Sequence, residues 1–135
     1  HLESANIARQ KNAQLYAELF DDAGLEADIV LPRSLYGTGH VWNQFTVRVK
    51  NGRRDSFKEF LAERNIGAEI YYPIPVHAQE CYRACPNITM DLTETNLAAD
   101  EVLSLPIFPE LEEAEIQAVV AGVTSFYSMP QSQAA

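Results

Sequence analysis

The 135 residues suffice for one domain with a real core, and 47% hydrophobic against 21% charged residues is ordinary globular usage. A formal net charge of -9 argues against unaided binding to nucleic acid or to an anionic membrane, since both need a basic patch. No apolar run approaches the ~20 residues of a transmembrane helix, and the first residues lack the basic and apolar parts of a signal peptide, so a cytoplasmic protein is expected.

The chain opens at His1 without an initiating Met, with helical spacing already under way by Leu2 to Ile7. That start reads as a piece of something longer, although a processed terminus or a tag remnant gives the same beginning. From Leu2 to Phe20, Ile7, Leu15 and Leu19, with Ala8 and Tyr16 beside them, fall at helical spacing, and Asp22-Ala-Gly24 supplies a stop. The first half of this helix is polar, as in a helix running out toward another domain or in one that frays; both readings stand.

Leu31-Pro32 and Gly37-Thr-Gly39 read as loop. His40 to Val49 then alternates as a strand, with Val41, Asn43, Phe45, Val47 and Val49 on one face. Asn51-Gly52 is a turn dipeptide, and the helix after it carries Phe57, Phe60 and Leu61 as an i, i+3, i+4 stripe backed by Ile66. Gly67 suits the left-handed residue that closes this helix, and Ala68 to Tyr72 alternates as a strand. Pro73 and Pro75 stiffen the turn that follows, so Tyr71, Tyr72 and His77 are expected to leave the sheet in set directions.

Ala78 to Cys85 has room for a short helix ended by Pro86-Asn87. Asp91 and Thr93 are N-cap candidates for a helix from about Glu94 to Val102, with Glu94 at the capping-box position from Asp91. Leu103 to Pro109 is too rich in proline for a central ladder and reads as a short edge strand or a packed extended segment. The last helix, about Glu112 to Tyr127, presents Ile116, Val119, Val120 and Val123 on one face. Glu110, Glu112, Glu113 and Glu115 crowd its positive end as capping chemistry. The order of elements predicts an α+β fold, a small mostly antiparallel sheet with helices packed on one face. Residues 1–24 lead into it, 25–128 form the domain, and 129–135 read as a mobile tail.

Catalytic signatures are scarce. His77, Cys81 and Cys85 are spaced i, i+4, i+8, but eight helical residues rise about 12 Å, too far for all three to reach one zinc. No metal site is expected, and no disulfide for a cytoplasmic chain. There is no nucleophile elbow, Walker loop or dinucleotide fingerprint, and His40 reads as a loop or core-edge residue. The residues by themselves point to a binding surface.

Four blocks in one order carry a family resemblance. They are His40-Val-Trp-Asn-Gln-Phe-Thr-Val-Arg48, Arg53 through Gly67, Glu69-Ile-Tyr-Tyr-Pro-Ile-Pro-Val-His77, and Leu103-Ser-Leu-Pro-Ile-Phe-Pro109. Together with Asn12-Ala-Gln-Leu-Tyr16 they resemble the C-terminal region of the DegT/DnrJ/EryC1/StrS sugar aminotransferases. The resemblance implies the small domain of a fold-type I aminotransferase that uses pyridoxal 5'-phosphate to aminate a nucleotide-linked keto sugar with an amino-acid donor, in a homodimer. It implies substrate contacts at Tyr71, Tyr72 and His77, with strand packing the alternative for the two phenols, at least one of which is expected in the site. Asn43 and Gln44 are left outside the site as strand residues. The family's Schiff-base lysine has no counterpart here, since Lys11, Lys50 and Lys58 all lie in other contexts, so the chain alone is expected to be inactive. Two alternatives remain: a stand-alone α+β module that binds a metabolite or protein without catalysis, and the same part of a sugar dehydratase.

Overall fold

The computed structural model describes residues 1–35, 39–82 and 91–130. Helix α1 (Leu2–Ala23) ends on Gly24, whose left-handed φ of 65 lets its N–H reach the Asp21 carbonyl. Strands β1 (Ile29–Val30), β2 (Phe45–Val49) and β3 (Val102–Leu105) form one antiparallel sheet in the order β1-β2-β3. Helices α2 (Arg54–Ala62), α3 (Thr93–Glu101) and α4 (Glu113–Ser128) complete the fold.

Register sorts the two sheet faces. Phe45 lies opposite Leu105, Val47 opposite Leu103 and Val49 opposite Ile29, and all six are buried. This face packs under α1, α2 and α4, with Tyr16 stacked on Phe45 at 4.7 Å and Phe126 set between Phe57 and Phe60 at 5.0 and 5.3 Å. Burying ten large side chains completely at this junction supplies most of the driving force, at about 2 kcal/mol for each. The opposite face is polar: Thr46 and Ser104 share a hydrogen bond at 2.8 Å, and Arg48 pairs with Glu101 of α3 at 2.8 Å.

Several expectations change. The buried side of α1 is Asn12, Ala13, Tyr16 and Phe20, while Ile7 is 59% exposed and Leu15 and Leu19 are only partly covered. Strand β2 starts at Phe45, leaving Val41 and Asn43 exposed, because Trp42 adopts a left-handed φ of 48 and breaks the alternation. Asn65, at φ 58, takes the left-handed position after α2 that was expected of Gly67. The stretch Ala68 to Tyr72 makes one antiparallel bridge, Glu69 to Ser104, and no strand. Proline after Tyr72 and the departure of the chain at Tyr71 stop the ladder there.

Val76–Ala78 and Glu80–Tyr82 form two 3-10 turns in place of one helix, and Cys85 with Pro86-Asn87 lies outside the described residues. Asp91 accepts from the Thr93 N–H at 2.9 Å and from its hydroxyl, a local turn, and Glu94 turns toward Arg48 instead of closing a capping box. These bonds, the hydroxyl's first, hold the exposed Asp91 carboxyl below its usual range. The expected acidic cap of α4 is present, with the Glu112 N–H donating to Glu115 at 2.8 Å in a reciprocal capping box. Beyond α4, Met129 packs against the core.

Candidate functional site

At one end of the sheet three backbones separate within a residue of each other. Phe45–Leu105 is the last pair of the β2–β3 ladder, and Glu69 bridges Ser104 on the far side of β3 through bonds of 3.0 and 2.7 Å. The residues beyond that end border a groove of about 310 Å³. Asn43, Gln44, Glu69 and Tyr71 bring carboxamide, carboxylate and phenol groups to it, with Ser104 at the base and Pro106 and Ile107 along one wall.

Proline shapes that wall. Pro106 cannot donate to a ladder, so the chain leaves β3 and its carbonyl instead accepts from the Tyr16 hydroxyl at 3.0 Å. Asn12, on the same face of α1, donates from Nδ2 to the Phe108 carbonyl at 2.9 Å and to that of Leu111 at 3.4 Å. Burial, and secondarily the Glu115 carboxylate, pushes the Tyr16 phenol well above its ordinary value, so it stays a neutral donor.

The structure brings Tyr71 to the groove. Tyr72 is 74% exposed, lies outside its lining, and meets Tyr71 edge to face at 5.8 Å across a cis peptide. His77 is half-buried in the 3-10 turn and is likewise not a lining residue. Asn43 and Gln44, which a continuous strand would place outside the site, line the groove. Nothing in the residue type of Trp42 announces a left-handed backbone, so the signal was a conformational one. A larger groove of about 580 Å³ between the end of α1 and β1 is lined largely by apolar side chains such as Phe20, Leu25 and Ile29.

Chemically, the first groove offers paired donors and acceptors and an aromatic face, a set suited to hydroxylated rings. Its carboxylate, Glu69, is held by Lys58 at 3.0 Å. Of the three lysines, Lys58 is paired with Glu69, Lys50 donates to the Glu26 carbonyl, and Lys11 is exposed on α1. Among the described residues no group of three His, Cys, Asp or Glu side chains could hold a metal ion, and no helix is long and apolar enough to cross a membrane.

The sequence profile of the DegT/DnrJ/EryC1/StrS aminotransferase family matches residues 1–124. The chain belongs to this family. It is 37% identical to the pleiotropic regulatory protein of Geobacillus stearothermophilus over 94% of its length and 33% of that protein. It is 34% identical to dTDP-3-amino-3,6-dideoxy-alpha-D-galactopyranose transaminase of Aneurinibacillus thermoaerophilus, over 93% of the chain and 32% of the relative. Among solved structures, DesV of S. venezuelae, in complex with a ketimine intermediate, superposes with a TM-score of 0.82 at 33% identity, covering 97% of the chain and 34% of DesV. The chain thus spans about a third of the length of the relatives it matches.

Proposed function

We propose that this chain is the substrate-side, C-terminal part of a pyridoxal-phosphate-dependent aminotransferase acting on a nucleotide-linked keto sugar. The observation that carries the reading is the polar groove, where Tyr71 stands with Asn43, Gln44 and Glu69 in a member of an aminotransferase family. The cofactor, when bound, carries the amino group from an amino-acid donor to the sugar; the lysine that would hold it comes from outside this chain, which is inactive alone. The protein acts as a homodimer. The role of this chain is to bind and orient: the carboxamides of Asn43 and Gln44 bond sugar hydroxyls, and the Tyr71 ring lies against the sugar or base while its hydroxyl bonds a sugar oxygen. Tyr72 and His77 join from the adjoining turn when ligand is present.

Tyr71→Phe and His77→Ala in the full-length protein test this. Tyr71→Phe removes one hydrogen bond to the sugar and His77→Ala removes a whole imidazole contact, so kcat/KM for the keto sugar should fall roughly three- to tenfold or more. Pyridoxal phosphate absorbance should be retained. Loss of that absorbance, or an unchanged kcat/KM in both variants, refutes the assignment.

A further inference from the structure

Asn43 and Gln44 are exposed, lie outside any ladder, and follow a residue in a left-handed conformation. A bulky residue at φ 48 costs roughly 1 to 2 kcal/mol in an L-chain, so the surroundings must hold it. Three consecutive residues before the pair are tied down. Gln10 donates from Nε2 to the His40 carbonyl at 3.1 Å, and Arg9 donates from Nε to the Val41 carbonyl at 3.2 Å. Asn6 accepts from the other end of the Arg9 guanidinium at 2.6 Å, which fixes its aim. The Trp42 N–H donates to Nδ1 of His40 at 3.0 Å.

That last bond has the connectivity of an Asx turn, with a side-chain acceptor on residue i receiving the N–H of residue i+2, and here an imidazole fills the place of the usual carboxamide. It requires the neutral tautomer protonated at Nε2. The His40 ring lies 4.1 Å from the indole, and the indole lies 5.8 Å from Phe45, the first residue of β2. The imidazole therefore connects a backbone bond, a pair of tilted aromatic contacts and the sheet end in one unit.

The structure assigns His40 as a positioning residue: by accepting the Trp42 N–H it holds the left-handed turn that presents Asn43 and Gln44 to the groove. This rests on the functional reading above only for what the two carboxamides then bind. Arg9 and Gln10 secure the same turn from α1, so the polar first half of that helix serves the site.

Two variants of the full-length protein separate the bond from the packing. His40→Asn keeps an acceptor able to make the same turn, while His40→Phe keeps a ring against Trp42 and removes the acceptor. Amide exchange over residues 40–45, read by mass spectrometry, should quicken roughly three- to tenfold in His40→Phe and stay within about twofold of the parent in His40→Asn. Affinity for dTDP-glucose, used as the probe, should follow the same order, with the melting temperature of both variants near the parent's. Unchanged exchange in His40→Phe, or exchange in His40→Asn as fast as in His40→Phe, overturns the assignment. Failure of the parent to bind either dTDP-glucose or UDP-glucose would refute the functional reading instead, and the exchange comparison would still decide the role of His40.

Discussion

Asn12 and Tyr16 give the sharpest test of how the groove wall is held. Both lie on the buried face of α1, one turn apart, and both donate to carbonyls of the segment after β3. In Asn12→Ala the Phe108 carbonyl loses a bond of 2.9 Å and the Leu111 carbonyl a longer one of 3.4 Å. The first is worth about 1 to 1.5 kcal/mol and the second a few tenths, and stranding the acceptors brings the loss to about 2 kcal/mol. Tyr16→Phe removes a single bond of 3.0 Å and should cost about 1 kcal/mol. With a urea slope of about 2 kcal/mol per M, the Asn12 variant should lower the unfolding midpoint by about 1 M and the Tyr16 variant by about half that, with slopes unchanged. The double variant should lose less than the sum by about 0.5 to 1 kcal/mol, because once one tie is gone the segment relaxes around the other. A midpoint shift below about 0.2 M in Asn12→Ala would refute the reasoning, and strict additivity would show that the two side chains hold separate structures.

Tyr127 is partly buried and its hydroxyl finds no protein partner among the described residues, so Tyr127→Phe should be neutral or stabilising by up to about 1 kcal/mol at pH 7 in urea unfolding. Burial first, and Asp28 with it, pushes this phenol up from 10.0 to about 12 against the opposing pull of Arg53. A folded-state value above the unfolded one means that the protonated phenol's stabilisation is complete below pH 10 and is lost as pH rises toward 12. Discounted for partial exposure, the loss is about 1 kcal/mol, and it should be missing from the phenylalanine variant, so parallel pH profiles would contradict it. At the end of α2, Asn65→Val forces a β-branched residue to φ 58 and should cost roughly 1 to 2 kcal/mol in thermal unfolding. Gly67→Ala, whose new Cβ meets nothing within 4 Å, should be neutral or slightly stabilising, and the reverse order of the two melting temperatures would return the left-handed role to Gly67.

Periodicity carried the elements whose fate is decided by burial alone. The Phe57, Phe60 and Leu61 stripe, the α4 face from Ile116 to Val123, and the Phe45, Val47 and Val49 alternation are all inward, as their spacing implies. The acidic first turn of α4 could be read as capping because residue type and position settle that chemistry. What was missed depends on which of two competing partners a backbone group takes. The carbonyls of His40 and Val41 go to side chains 30 and 32 residues away on α1, and no local pattern foretells that. Asn65 and Gly67 are both able to close a helix, and asparagine two residues earlier took the position. Of the three residues singled out for substrate, only Tyr71 is a lining residue in this conformation, and the carboxamide pair was hidden by the strand reading.

The groove exists because each of its three backbones stops pairing for a different local reason. Segment 103–107 loses its donor at Pro106, segment 40–45 is turned away by Trp42, and segment 67–71 makes one bridge before the proline turn draws it off. Any one of these alone would leave a frayed strand whose neighbour continued to cover it. With all three at the same end of the sheet, the polar face opens where carboxamides, a carboxylate and a phenol are available, while the apolar face stays sealed beneath Tyr16 and Phe45. Residues that hold the core point to one side of β2 and β3, and on the proposed function the ends of the ladder supply the binding groups. Substitutions on the rim should accordingly alter ligand preference with little effect on unfolding, whereas Asn12 and Tyr16, which reach the groove wall from the core side, should alter both.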